Sequence, residues 1–134
     1  MAVRADPLDE LVANTREISR VQVVAMLRGK VLLDIEARTF VITPEARASM
    51  SARGVMLVAL LGQKALALKT GVPDVLLPKQ IEALTGMKGG TVRPALRGLA
   101  EDGLVVNKGG AYSVHASSLQ LVEAEMEAGK VADR

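Results

Sequence analysis

The sequence predicts a small α+β domain that is mainly helical and carries two short β-hairpins. Three observations lead to this fold class. The chain has 134 residues, 49% of them hydrophobic, which suits one domain with a buried core and leaves no room for separate cofactor and substrate lobes. Its apolar residues recur mainly at three- and four-residue spacing, which is typical of amphipathic helices. Two short runs rich in β-branched and apolar residues interrupt this pattern, and each is followed by turn residues and a second such run.

The first element is a helix from Pro7 to about Arg28. Asp6 can cap its N-terminus, with proline at the first helical position, and Gly29 ends it. The apolar residues at helical spacing are Leu8, Leu11, Ile18, Val21 and Ala25.

A short hairpin follows, with strands at Val31–Ile35 and Phe40–Ile42 and a four-residue loop between them. Thr43–Glu45 is then a connector or the start of another helix. We expect residues 1–46 to form an N-terminal unit that serves packing or dimerisation against a second copy of the chain, and residues 47–134 to form the second unit.

A helix from Ser51 to Lys69 comes next, with Ser51 as its N-cap and stop signals at Thr70–Pro73. Because Val55–Leu61 is apolar without interruption, we expect this helix to be central and largely buried. The run is far shorter than the roughly 20 residues that span a bilayer. The charged first ten residues do not resemble a secretory signal, so we expect a soluble, cytoplasmic protein.

The segment from Leu77 onward predicts two helices joined by a tight turn. Pro78 opens the first, in which Leu77, Ile81 and Leu84 share a face, and Thr85–Gly86 ends it. The second helix ends at Gly103 and has Val92, Leu96 and Leu99 on its apolar face. Strand residues 104–106, a glycine-rich tip at 107–110 and strand residues 111–114 then predict a second hairpin.

The composition excludes several kinds of functional site. Phe40 and Tyr112 are the only aromatic residues, too few to stack successive bases of a single-stranded nucleic acid. With no Cys and with His115 as the single His, the chain lacks thiolate chemistry and the ligands of a zinc site. We therefore expect no metal, no cofactor and no enzymatic activity, and we expect His115 to be structural or exposed and Tyr112 to be a hydrophobic plug of the second hairpin.

Charge is unevenly distributed along the chain. Residues 1–45 carry six basic and seven acidic side chains, residues 46–100 carry eight and two, and residues 101–134 carry three and six. The middle of the chain therefore has a net charge of +6 between flanks of −1 and −3. This asymmetry is expected if one surface binds a polyanion, and ordinary solvated helix faces would also produce it.

The order helix, tight turn, helix and hairpin carries a family resemblance. The segment Leu77–Val105, LPKQIEALTGMKGGTVRPALRGLAEDGLV, with a wing tip at Asn107–Gly110, resembles the winged helix-turn-helix DNA-binding domains of bacterial and archaeal transcription regulators. With the preceding core helix and a C-terminal helix from Ser117, the resemblance covers residues 51–127.

Three residues depart from the family's pattern. Glu82 stands where a small residue usually lets the two helices approach, and Lys88 stands where Ser or Thr usually caps the recognition helix. Pro94 lacks an N–H and is tolerated mainly in the first turn of a helix. We therefore expect the regular helix to start near Thr91, which can cap it, with Gly89–Gly90 as a flexible approach.

The resemblance implies a DNA-binding site. The recognition helix, residues 91–102, would enter the major groove, with Arg93 contacting bases and Arg97 binding phosphate. The wing, residues 104–114, would lie on the DNA backbone, and Arg53 could contribute at the start of the core helix. The predicted DNA-binding residues are Lys79, Gln80, Lys88, Gly89, Gly90, Thr91, Arg93, Arg97, Asn107 and Lys108.

The leading hypothesis is therefore sequence-specific binding of double-stranded DNA by a homodimer that regulates transcription. The alternative is a winged-helix protein–protein interaction module of a larger complex, with the acidic stretch of Glu123, Glu125 and Glu127 as its contact face.

Overall fold

The computed structural model describes residues 20–128. Its helices are α1 (Arg20–Leu27), α2 (Pro44–Ser49), α3 (Ala52–Thr70), α4 (Pro78–Thr85), α5 (Gly89–Glu101) and α6 (Leu119–Ala128). Its strands are β1 (Val31–Asp34), β2 (Thr39–Ile42), β3 (Val106–Lys108) and β4 (Ala111–Ser113). The strands form two separate antiparallel hairpins, β1–β2 and β3–β4. The predicted mainly helical α+β class with a wing is confirmed.

Helix α3 is the centre of the fold. Its residues from Gly54 to Gly62 are all buried, and α1, α4, α5, α6 and β2 pack against it. As predicted, Ser51 caps the helix, because its hydroxyl accepts a hydrogen bond of 3.1 Å from the backbone N–H of Gly54. Gly71, with φ of 81°, ends it in the left-handed conformation that glycine adopts without strain.

Helix α1 is the described part of the predicted N-terminal helix, whose residues 7–19 lie outside the described residues. Val23, Met26 and Leu27 are buried in the core. Val21 and Ala25, which belong to the predicted apolar stripe, are instead exposed. The helix therefore has apolar residues on both a buried and an exposed side.

The first hairpin differs from its prediction by one residue at the loop. The loop is Ile35–Arg38 rather than residues 36–39, and Thr39 pairs with Asp34. The reason is local, because the Asp34 carboxylate accepts a hydrogen bond of 3.0 Å from the N–H of Ala37 and closes the turn early. For residues 43–45 the sequence predicted either a connector or the start of a helix. They form the start of α2, and Thr43 is its N-cap.

Helices α4 and α5 form the predicted helix–turn–helix. Helix α4 spans the predicted residues, and Gly86, with φ of 77°, makes the turn after it. Ile81 is fully buried in the core, as predicted. Leu77, predicted to share this face, is instead the N-cap and is 51% exposed.

The wing is shorter than predicted. Gly103 ends α5 as expected, but Leu104 and Val105 are buried in the core and β3 begins only at Val106. The tip is the pair Gly109–Gly110 rather than residues 107–110. Both glycines have positive φ, 64° and 96°, as a two-residue type I′ turn requires.

A bridge to Leu76 holds the wing against the domain. Leu76 exchanges backbone hydrogen bonds of 2.9 and 2.8 Å with Tyr112, which adds a single bridge beside β4. Tyr112 is 7% exposed, so it fills the base of the wing as predicted.

The C-terminal helix α6 begins at Leu119 rather than at Ser117, because a 3₁₀ helix capped by His115 occupies Ala116–Ser118. Between Arg20 and Ala128, no helix is both long and apolar enough to cross a bilayer.

Candidate nucleic-acid interface

The predicted recognition helix begins earlier than expected. Helix α5 starts at Gly89, because the carbonyl of Lys88 accepts hydrogen bonds from the N–H groups of Thr91 (2.9 Å) and Val92 (3.0 Å). Lys88 is therefore the N-cap, although its side chain makes no capping hydrogen bond. The prediction that Thr91 caps a helix of residues 91–102 is wrong, and the helix is Gly89–Glu101.

Pro94 lies inside α5 rather than in its first turn. Its ring removes the N–H that would bond to the carbonyl of Gly90. Gly90, whose carbonyl Pro94 leaves without a helical donor, is exposed. The helix tolerates Pro94 because the carbonyl left unpaired belongs to the exposed first turn of α5.

Glu82 lies against the start of α5. A Cβ atom placed on Gly89 would be 3.0 Å from Oε2 of Glu82 and 3.8 Å from Nε of Arg93. Glycine at position 89 therefore leaves room for the Glu82 side chain against the first turn of α5. The arrangement also places a carboxylate beside the positive end of the helix dipole and beside the side chain of Arg93.

The outer face of α5 is basic and exposed. Val92, Leu96 and Leu99 are buried, whereas Arg93 and Arg97, one turn apart, are exposed as predicted. Within residues 20–128, none of the salt bridges involves either arginine. Lys88, Gly90 and Thr91 are also exposed and Gly89 is half-buried. Helix α5 and its N-cap therefore carry six of the predicted site residues, which are Lys88, Gly89, Gly90, Thr91, Arg93 and Arg97.

The first turn of α4 carries two further predicted residues, Lys79 and Gln80, both exposed. The side-chain amide oxygen of Gln80 accepts a hydrogen bond of 2.8 Å from the backbone N–H of Leu77 and so caps α4. Its amide nitrogen makes no hydrogen bond in the described part of the chain. Gln80 can therefore cap the helix and still donate to a ligand.

In the wing, Asn107 and Lys108 have different surroundings. The Asn107 side chain accepts a hydrogen bond of 2.8 Å from Gly110 N–H and donates one of 3.2 Å to the Tyr112 hydroxyl. Its polar groups therefore build the turn. Lys108 is exposed, and the Leu76–Tyr112 bridge holds the wing next to the chain that leads into α4.

Lys108 also lies close enough to Asp74 to influence its ionisation. Partial burial acts to raise the pKa of Asp74, but the hydrogen bond and charge of Lys64, with the charge of Lys108, lower it below its ordinary value. The Lys64 ammonium and the Asp74 carboxylate are 2.6 Å apart. Lys64 is thus held in an ion pair, while Lys108 contributes only through space.

Arg53 is engaged within the fold. Its guanidinium bonds to Asp102 at 2.8 Å and to Glu125 at 3.2 Å. The hydrogen bond to Asp102, reinforced by Glu125, raises the pKa of Arg53 despite the opposing effect of burial. The resemblance implied that Arg53 could contribute to DNA contact at the start of the core helix, and the structure gives its side chain two partners of its own.

Sequence reasoning missed Arg47. This arginine is exposed on α2, and a Cβ atom on Gly86 would be 3.8 Å from its Nη1, so its guanidinium lies beside the turn between α4 and α5. Arg47 belongs to the basic stretch of residues 46–100, and only the packing of α2 reveals its position next to the turn.

The geometry is that of a helix–turn–helix with a wing, in which cationic side chains and helix N–H groups lie at the start of the second helix. No family model, no curated protein and no solved structure matches this chain.

Proposed function

We propose that the chain binds double-stranded DNA in a sequence-specific manner, as a homodimer in the cytoplasm, and regulates transcription. Helix α5 is the element that enters the major groove, with Arg93 bonding to base edges and Arg97 and Lys88 bonding to phosphates. The wing, through Lys108, contacts the backbone beside it. The function is binding rather than catalysis.

The observation that carries the proposal is how the structure divides the basic residues of the stretch 46–100. Arg53 and Lys64 form ion pairs with Asp102 and Asp74 within the fold. Lys88, Arg93 and Arg97 are exposed on or next to α5 and make no salt bridge within the described residues. A row of free cations along the outer face of this helix supports a polyanionic ligand.

Glu82 gives the proposal a specific consequence. Its carboxylate lies where a phosphate would meet the first turn of α5, and beside Arg93. A negative charge there opposes DNA phosphates on any sequence, and non-specific binding depends almost entirely on phosphate contacts, whereas specific binding also draws on contacts to base edges. Glu82 therefore weakens non-specific binding more than specific binding.

The experiment selects duplexes from a randomised pool with the full chain and then titrates the best duplex over a salt series. We expect affinity to fall steeply with salt, with each phosphate contact adding about 0.9 to the log–log slope. Changing Arg93→Ala together with Arg97→Ala should weaken binding by about tenfold to a hundredfold. Arg38→Asn is the matched control, because it removes an exposed charge from the first hairpin and asparagine tolerates the positive φ of 54° there.

The variant Glu82→Gln tests the proposed effect of the Glu82 charge on non-specific binding. It keeps the size of the side chain, and we expect about two- to fivefold tighter binding to an unrelated duplex at low salt, with a smaller change on the selected one. Absence of duplex binding at low salt, or binding unaffected by the double arginine change, would overturn the DNA-binding proposal. Recovery of the chain in a stable protein complex after nuclease treatment would instead favour the protein–protein interaction module. Of the acidic residues expected to form the contact face of that module, Glu125 is paired with Arg53 within the fold.

A further inference from the structure

Arg47 lies on α2, beside the turn between α4 and α5. It stands in the last turn of α2, outside the segment that carries the family resemblance, and it is exposed. Strand β2 packs against α4, and α2 follows β2 directly after Thr43, so the chain brings α2 next to the helix–turn–helix. A Cβ atom on Gly86 would be 3.8 Å from Nη1 of Arg47, which places the guanidinium at the turn.

The charge of Arg47 has no ion-pair partner within residues 20–128. The salt bridges of that part of the chain involve Arg53 and Lys64, and none involves Arg47. An exposed cation of this kind contributes little to the stability of a fold. The guanidinium is therefore available to a ligand.

The turn beside Arg47 leads directly to the cationic start of α5. Gly86 is two residues before Lys88, the N-cap of α5, and consecutive Cα atoms are about 3.8 Å apart, so these two Cα atoms are separated by at most about 7.6 Å. Lys88 is exposed and likewise takes part in none of the salt bridges within the described residues. Two cations from different elements therefore lie where α5 begins.

We propose that Arg47 binds a phosphate of the duplex that α5 enters, so that the DNA interface extends beyond the helix–turn–helix and its wing to α2. The inference rests on the DNA-binding function proposed above. DNA carries one negative charge per about 1.7 Å of its axis, so a duplex that receives α5 brings phosphates past the turn before this helix. Because Arg47 lies on α2 and not on the helix in the groove, its partner is the backbone and not a base edge.

Arg47 and Lys108 contact different phosphates. The wing is bridged to Leu76, which precedes the N-terminus of α4, whereas Gly86 follows its C-terminus. The eight residues of α4 have a length of about 12 Å. The support of the wing and the turn beside Arg47 are therefore at opposite ends of this helix, and the two cations meet the backbone at separate places.

The first experiment titrates the full chain with the selected duplex and with an unrelated duplex over a salt series. We expect Arg47→Ala to lower the log–log slope by about 0.9 on both duplexes, because one phosphate contact is lost, which is about five- to tenfold weaker binding at about 0.1 M salt. Arg47→Lys keeps the charge and should restore most of the slope. Arg28→Ala is the matched control, since Arg28 is exposed directly after α1, and it should leave the slope unchanged.

Urea unfolding accompanies the titration, and we expect Arg47→Ala to be as stable as the parent chain, since it breaks no salt bridge of the described residues. If Arg47→Ala leaves the slope unchanged while Arg93→Ala with Arg97→Ala still weakens binding, the role of Arg47 is overturned and the proposed function stands. A loss confined to the selected duplex would also overturn it, because that result indicates a base contact. Absence of duplex binding by the parent chain would overturn both.

The second experiment replaces single phosphates of the selected duplex with uncharged methylphosphonates. We expect a position where the replacement weakens binding of the parent chain by about five- to tenfold and leaves binding of Arg47→Ala unchanged, as for two groups in direct contact. The position that depends on Lys108, identified with Lys108→Ala, should be a different phosphate. The same position for both variants, or no position that depends on Arg47, would contradict the inference.

Discussion

Phe40 and Gly62 illustrate how one residue pair sets the packing of this molecule. Phe40 comes from β2 and is 3% exposed, and a Cβ atom on Gly62 of α3 would lie 2.7 Å from its ring atom Cε2. Glycine is therefore required at this position of α3, even though glycine weakens a helix interior.

We predict that Gly62→Ala destabilises the fold by about 1–3 kcal/mol, because overpacking against a buried ring exceeds the gain of about 1 kcal/mol in helix propensity. Urea unfolding at pH 7 measures this. Gly90→Ala in α5 is the control, since a Cβ there meets nothing within 4 Å, and it should leave stability equal or higher. A stabilised Gly62→Ala variant would show that β2 yields to the added methyl group.

Sequence reasoning at this scale succeeded where chemistry is local. Ser51 as a cap and Gly86 and Gly103 as helix ends follow from side-chain size and hydrogen bonding, and all three are confirmed. It failed for Thr91, because the carbonyl of Lys88 already accepts the first helical hydrogen bonds, so the helix begins at Gly89.

At the scale of elements, the segment between α3 and α4 is held by the ion pair of Lys64 with Asp74. Lys64 is the more buried partner, with 14% of its side chain exposed against 34% for Asp74. The pair anchors the end of this connection to α3 just before Leu76 bridges to the wing. It therefore contributes to where the wing lies relative to α4.

This pair gives the fold a predictable dependence on pH. The pKa of Asp74 is lower in the folded chain than in the unfolded chain, where it is about 3.9. The stabilisation is therefore present above that value and is lost as pH falls through the folded pKa.

We predict that Asp74→Asn lowers the free energy of unfolding by up to about 1 kcal/mol at pH 7, and that the difference from the parent chain shrinks as the pH falls below 3.9. Urea unfolding across pH 7 to 3 follows the difference. Glu101→Gln removes an exposed carboxylate without a salt bridge in the described residues and should show no comparable trend. A difference that is independent of pH would refute the assignment to ionisation.

Elements were predicted more securely than their limits. Helices α3 and α4 and both hairpins follow from apolar spacing and turn residues. The wing is two residues shorter than predicted because Leu104 and Val105 are buried in the core. Apolar residues of this kind occur both in strands and in core-packed loops, and only tertiary packing distinguishes the two.

At the scale of the whole molecule, Arg53 joins three helices. It stands in the first turn of α3, bonds to Asp102 at the end of α5 and to Glu125 on α6, and lies near Gly98, where a Cβ atom would be 3.3 Å from its Nη1. The network fixes the C-terminal end of α5, and hence the angle at which its basic face is presented.

We predict that Arg53→Ala destabilises the fold by about 1 kcal/mol, because two partly exposed ion pairs are lost together. A double-mutant cycle with Asp102→Ala, followed by urea unfolding at low and high salt, measures the coupling. Lys69→Ala serves as the control, since it removes an exposed charge from the end of the same helix. Additive effects of Arg53→Ala and Asp102→Ala would show that the contact carries no energy.

The sequence by itself determined the fold class, the central buried helix, the helix–turn–helix with its wing, and the candidate basic face of α5. Each depends on residues close together in the chain, where spacing, capping and glycine placement act directly. The tertiary structure alone decided which cations are free and which are paired, that Glu82 lies at the start of α5, that Arg47 reaches the turn, and that Val21 and Val24 of α1 face outward. Those features depend on contacts between residues far apart in the chain, because charge and burial are set by neighbours in space.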